Sequence, residues 1–145
     1  MAARQPAECD TMADISIIIP TLETDQTFDW EAQLEDAAVE GEVLLRDDPT
    51  ASKARNAGIR EATTDKLVFL DDDSKPGAGY FERLDALLDD HPAVTGRIVD
   101  TGTKVTRGLS GQYDQGGEAH RTETVVGCSM AVRRSVLDDV GGFDE

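Results

Sequence analysis

Ile15-Ser16-Ile17-Ile18-Ile19 is a short, β-branched run that Pro20 ends. Such a run reads as a buried strand. Two more follow it. Glu42 to Arg46 (EVLLR) is stopped by Asp47-Asp48-Pro49, and Lys66 to Leu70 (KLVFL) closes on Asp71-Asp72-Asp73. Helical spacing fills the intervals. Trp30, Leu34, Ala37 and Ala38 recur at helical distance, and Trp30 reads as core. Ala51, Ala54, Gly58, Ile59 and Ala62 share one helical face, with Pro49 suited to that helix's first turn. Phe81, Leu84 and Leu88 mark a third helix, stopped near His91-Pro92. Val94 to Val99 is a fourth strand candidate, and residues 101–123 form a long polar loop or irregular hairpin. Val125 to Val132 is apolar again, and Ser135 to Val140 makes a short helix ended by Gly141-Gly142. Strands alternating with helices predict an α/β sandwich with a mostly parallel sheet.

A chain of 145 residues suffices for one domain with its own core. The domain is expected over 14–145, with residues 1–13 a flexible polar leader and Met12 an alternative start. Acidic residues number 30 against 14 basic ones, for a net charge of −16, yet the 39% hydrophobic content is too high for disorder. This balance predicts a folded domain with a strongly acidic surface. It also suits a haloarchaeal-like, high-salt cytoplasm, where concentrated cations screen the self-repulsion. Nucleic acid as a partner is disfavoured, because phosphate neutralisation needs clusters of Lys and Arg. Anionic membrane surfaces are disfavoured for the same reason. Cys9 and Cys128 make neither a disulfide framework nor a CxxC metal site. No segment approaches the roughly 18 apolar residues of a membrane span. The first residues lack the pattern of a signal peptide. A cytoplasmic location is the expectation.

In parallel sheets, ligands bind beyond the carboxyl ends of the strands. Pro20-Thr21, Asp47-Asp48 and Asp71-Asp73 each follow a predicted strand. Three consecutive carboxylates repel one another and raise their pKa values unless a cation is present. In extended chain, Asp71 and Asp73 would face one way and Asp72 the other. Hard oxygen ligands suit Mg²⁺ or Mn²⁺, and Mg²⁺ is usually shared between one or two carboxylates and substrate phosphates. The plain alternative is an acidic turn in an acidic protein. Arg55 lies on the sheet-facing side of its helix, so it needs an anionic partner. Asp47, Asp48, the aspartate triplet or a bound phosphate would each serve. Lys53, Asn56 and Arg60 fall on a different face. Cys128 reads as a small core residue, His91 as a helix-end residue, and His120 as a loop residue within reach of a substrate.

Five segments in order carry a resemblance: ISIIIPTLE at 15–23, EVLLRDD, KARNAGIREA, KLVFLDDDSKP and VVGCSMAVRRSVLDDVGGFDE. Together they resemble family 2 glycosyltransferases of the GT-A fold, a Rossmann-like three-layer sandwich, from about Ile15 to Glu145. The resemblance implies roles. Pro20, Thr21 and Glu23 would lie against the nucleotide, Asp47 or Asp48 would bind base or ribose, and Arg55 would help hold the nucleotide. Asp71-Asp72-Asp73 would be the DxD motif, with Asp73 on the metal and Asp71 near the ribose and available to the metal. Gly127 and Cys128, in the segment 127–130, would line the donor sugar and acceptor side. The cofactor would be Mg²⁺ or Mn²⁺.

The implied reaction moves a sugar, with inversion, from a nucleoside diphosphate sugar to an acceptor hydroxyl. A saccharide, a lipid-linked sugar at the inner face of the membrane, or a protein glycan would be the acceptor. Family members continue past GGFDE to a Glu-Asp pair that supplies the general base. The resemblance therefore implies a truncated chain, or a partner chain carrying the C-terminal part. Asp144 and Glu145 are not that base. A truncated or inactive nucleotide-sugar-binding module is one alternative. A DxD aspartyl phosphohydrolase with Asp71 as nucleophile is another, disfavoured by Lys75 where those enzymes carry Thr or Val.

Overall fold

A computed structural model describes residues 14–22, 29–35, 37, 39–99 and 117–145. The leader over 1–13, Glu23, Ala38 and most of the 101–123 loop lie outside the described residues. Among the described residues there are five strands: β1 (Ile15–Pro20), β2 (Gly41–Arg46), β3 (Lys66–Leu70), β4 (Ala93–Thr95) and β5 (Ser129–Arg133). Four helices among the described residues accompany them: α1 (Trp30–Glu35), α2 (Ala51–Glu61), α3 (Tyr80–Asp90) and α4 (Arg134–Val140). The sheet order is β2-β1-β3-β5-β4. β1 pairs in parallel with β2 and β3, whereas β5 runs antiparallel to both β3 and β4. This is the expected α/β sandwich with a mostly parallel sheet.

The side-chain alternation of β1 explains the layers. Ile15, Ile17 and Ile19 join Val68 and Leu70 on one face, where Trp30 and Leu34 of α1 and Phe81, Leu84 and Leu88 of α3 cover them. Ile18 joins Leu67 and Phe69 on the other face, under Leu137 of α4 and the end of α2 at Ala62. A strand buried on both faces needs no polar alternation, which is why ISIII is almost uniformly apolar. Ser16 is the exception and is fully buried. Its hydroxyl meets Thr64 Oγ1 at 2.8 Å and donates to Glu42 Oε2 at 2.9 Å. Burial works against the Glu42 charge, but hydrogen bonds from Thr63 and Ser16 and the nearby Arg134 outweigh it and hold the carboxyl below its usual range.

Arg133 and Arg134 close the helices on opposite faces of the sheet. Arg134 donates to Ile59 O, Ala62 O and Thr64 O at 2.8–3.1 Å, covering the carbonyls at the end of α2. Arg133 donates to Leu88 O and Asp89 O at 2.7 and 2.8 Å, at the end of α3. A cation there satisfies orphan carbonyls and complements the helix dipole. His91 also closes α3, its N–H donating to Leu87 O, as its place at a helix end suggested.

Two expectations shift. Pro49 does not enter the first turn of α2; Thr50 is the cap, its hydroxyl accepting from Lys53 N at 3.2 Å. The strand expected over Val94–Val99 is only Ala93–Thr95. Its partner β5 begins at Ser129, so the ladder ends where Gly96 N donates to Ser129 O. Among the described residues no strand lies beyond that point to pair with.

Gly58 lets α2 sit directly on β1. A Cβ at this position would lie 2.4 Å from Ile18 Cγ2. Gly58→Ala gains about 1 kcal/mol of helix propensity. It also overpacks a fully buried isoleucine, at a cost of about 1–3 kcal/mol. The overpacking is expected to prevail because Ile18 is enclosed within the core. The urea midpoint of Gly58→Ala should fall below that of the wild type, whereas an exposed control such as Lys53→Ala should not lower it.

Candidate active site

Parallel pairing brings the carboxyl ends of β1, β2 and β3 to one edge. Thr21, just past Pro20, ties these ends together. Its N–H donates to Arg46 O at 2.8 Å and its hydroxyl donates to Asp72 Oδ2 at 2.8 Å. Asp47 is exposed. Asp48 is engaged: Arg46 Nε and Nη2 donate to its two oxygens at 2.9 and 3.1 Å. Arg46 also reaches Glu61 Oε2 at 2.8 Å. The hydrogen bonds from Arg46 hold the Asp48 carboxyl below its usual range.

The aspartate triplet is a turn rather than extended chain, because Ser74 N donates back to Asp71 O at 3.0 Å. The strict alternation expected of an extended segment therefore does not apply. The side chains still diverge. Asp72 meets Thr21 at the end of β1, and Asp71 faces Arg55, with Oδ1 3.7 Å from Nη2. Burial raises the Asp71 carboxyl above its usual range, Arg55 opposes this, and Asp73 and Asp72 add to it.

Antiparallel β5 delivers the fourth component. Leu70 is paired with Ser129, so Gly127 and Cys128 lie beside the aspartates. Ser74 Oγ donates to Cys128 O at 3.2 Å. Burial pushes the Cys128 thiol up, and the negative charges of Asp71 and Asp73 push it further. A thiol kept protonated is a poor nucleophile. Ser129 anchors this corner: it bonds Tyr80 Oη at 2.7 Å and accepts from Gly96 N at 3.1 Å, while its carbonyl accepts from Thr95 Oγ1 at 2.8 Å.

Arg55 points inward, as its helical position predicted, with its side chain 18% exposed. Of the four partners open to it, the structure supplies Asp71, at a distance beyond a hydrogen bond. Its guanidinium carbon lies 5.6 Å from the centroid of the Phe143 ring. A Cβ at Gly127 would come 3.1 Å from Nη2, so the glycine leaves the guanidinium room. The Nε atom is buried and meets no acceptor among the described residues.

Asn56 was not recognisable as part of this edge. Its helical position puts it on a different face of α2 from Arg55, and from there it holds Phe143 beside Arg55 through hydrogen bonds of 2.8 and 2.9 Å. The one sequence signal was the Gly141-Gly142 pair, which turns the chain back after α4. His120 is exposed and bonds its own loop at Glu118 O.

Among the described residues no three His, Cys, Asp or Glu side chains converge as a metal cage. The oxygen-only donors of Asp71 and Asp73 still fit a hard cation completed by substrate phosphates, the usual arrangement for Mg²⁺. Among the described residues no helix is long and apolar enough to cross a membrane.

The family model described as Glycosyl transferase family 2 matches residues 42–141, more than half of the chain. The chain belongs to glycosyl transferase family 2. Its membership separates it from the aspartyl phosphohydrolases that share a DxD after a buried strand. No curated protein matches the chain. Among solved structures it is similar to the crystal structure of S. aureus TarS 1–349, with a TM-score of 0.56 and 15% identity. The match covers 90% of this chain and 50% of that one. At this identity the likeness concerns the fold, and the chain spans half the length of that TarS chain.

Tyr80 tests the corner that carries Gly127 and Cys128 in this family 2 chain. Burial pushes its phenol up to about 12 against the hydrogen bond it shares with Ser129. A folded-state value above the unfolded one favours the neutral phenol. Its contribution is therefore complete below the ordinary value of 10.0 and is lost as pH rises through about 12. Tyrosinate absorbance should show one phenol titrating late. Tyr80→Phe should remove that phase and flatten the loss of stability between those two values.

Proposed function

We propose that this chain binds a nucleoside diphosphate sugar at the carboxyl edge of its sheet and transfers the sugar to an acceptor hydroxyl, with a divalent cation and with inversion. The observation that carries this reading is the juxtaposition of Arg55, whose buried Nε lacks an acceptor among the described residues, with Asp71 and its two neighbouring aspartates. A cationic donor beside clustered carboxylates suits a ligand that brings phosphate oxygens and a metal together.

In this reading Pro20, Thr21 and Glu23 flank the nucleotide. Of the two acidic residues after β2, Asp47 is the better contact to base or ribose, because Arg46 already occupies both oxygens of Asp48. Asp73 and Asp71 hold Mg²⁺ or Mn²⁺, which when bound offsets charge on the leaving diphosphate. Asp72 keeps the turn docked on Thr21. Arg55 binds the diphosphate, and Gly127 with Cys128 borders the sugar. The general base is assigned to none of these residues. Glu145 is engaged by Asn56 Nδ2 at 2.8 Å. The acceptor is a saccharide, lipid-linked sugar or protein glycan, and the reaction is cytoplasmic. The net charge of −16 supports adaptation to high salt.

Titration calorimetry with UDP and GDP, with and without Mn²⁺, tests the site. Binding should require Mn²⁺, and Asp73→Asn should weaken it by about tenfold or more while the chain stays folded. Equal affinity without the metal would sink the shared metal–diphosphate site. Salt adaptation has a separate readout. The thermal midpoint should climb steadily as KCl is raised to molar concentration, and a flat response would remove that part of the reading.

A further inference from the structure

We propose that Asn56 is a positioning residue, which pins Phe143 under Arg55 so that the guanidinium stays withheld from Asp71 and open to a diphosphate. This inference rests on the donor site proposed above. Asn56 follows Arg55 on α2 but turns away from the aspartates. Its Nδ2 donates to Phe143 O at 2.8 Å and to Glu145 Oε2 at 2.8 Å, and its Oδ1 accepts from Phe143 N at 2.9 Å. One amide thus holds both backbone polar groups of one residue, which fixes that residue's position and its rotation. Gly142 makes this approach possible. It has φ 83°, and a Cβ there would lie 2.7 Å from Asn56 Oδ1.

The pinned Phe143 is braced from below. Its ring packs edge-on against Phe69 of β3, with centroids 5.4 Å apart and planes at 75°. Above it sits the Arg55 guanidinium, 5.6 Å from the ring centroid. A cation prefers such a ring face, particularly when partly desolvated. Gly127 closes the other side, 3.1 Å from Nη2 to the position of an added Cβ. Arg55 is thus held between ring and backbone at 3.7 Å from Asp71, short of a hydrogen bond, with Nε lacking an acceptor among the described residues. A free guanidinium would form a two-pronged pair with a nearby carboxylate. The clamp prevents that collapse. Asp71 is left available, and Nε has no acceptor among the described residues.

Asn56→Ala removes the clamp, Phe143→Leu removes only the ring, and Phe143→Tyr restores it. Titration calorimetry of the full chain with UDP and GDP in Mn²⁺ should show about tenfold weaker binding for the first two variants and near wild-type binding for the third. In an Arg55→Lys background, Asn56→Ala should add little, because its effect runs through the guanidinium. The free protein gives a second readout. The Nε–H resonance of Arg55, assigned by its loss in Arg55→Lys, should be narrow in the wild type and exchange-broadened in Asn56→Ala. Folded Asn56→Ala and Phe143→Leu variants that bind like the wild type would overturn the inference, as would losses fully additive with Arg55→Lys. Wild-type chain that binds neither nucleotide, but whose Arg55 resonance still broadens in Asn56→Ala, would overturn the donor site while leaving the clamp intact.

Discussion

The parallel pairing of β1 with β2 and β3 is the constraint on which the rest depends. Parallel neighbours point their carboxyl ends the same way, and their crossover segments must cover both faces. The isoleucines of β1 then divide between two layers, with α1 and α3 on one side and α2 and α4 on the other. The same pairing leaves Thr21, Asp47 and the aspartate turn on a single edge. Antiparallel β5 adds Gly127 and Cys128 from the opposite direction. The site is a consequence of sheet topology before any side chain is chosen.

Charge is distributed unevenly over this frame. With 14 basic residues against 30 acidic ones, each buried cation has many anionic neighbours to choose from. Several basic residues serve packing. Arg134 and Arg133 cover helix-end carbonyls, Lys66 binds Asp85 and Asp89 at 2.7 Å, and Arg46 binds Asp48 and Glu61. These groups have their hydrogen bonds, and the geometry is close. Arg55 differs. It is as buried as they are, yet it meets its carboxylate only at 3.7 Å and leaves Nε without an acceptor among the described residues.

Much of the fold was legible because the strand signals were strong. KLVFL was read to the residue, and EVLLR missed only Gly41. Hydrophobic patterning reports burial directly: Leu67 to Leu70 are buried, and β2 is half-buried against the same sheet. The inward direction of Arg55 was legible for the same reason, since it shares a face with Ala51 and Gly58. The roles of Asn56, Arg133 and Arg134 were not. Each binds backbone groups 44 to 87 residues away in sequence. Backbone carbonyls carry no sequence label, so only the folded chain identifies them. The aspartate turn was misjudged because a strand's alternation was extended past its last residue, where Ser74 closes a turn instead. The end of β4 was misjudged because a strand's length depends on its partner, and β5 begins at Ser129.

A buried cationic donor without an acceptor costs about 1–3 kcal/mol or more. A domain whose total stability is about 5–15 kcal/mol can carry one such group but not many. It can carry this one because Arg55 sits on a rigid base. Ile18, packed beneath Gly58, fixes α2 against the sheet, and Phe69 fixes Phe143 beneath the guanidinium. If the surroundings were soft, Arg55 would relax onto Asp71 and the cost would vanish. The 3.7 Å gap is therefore set by the packing around it. Close packing keeps the buried Arg55 guanidinium out of hydrogen-bond reach of Asp71, and the proposed diphosphate site draws on that separation.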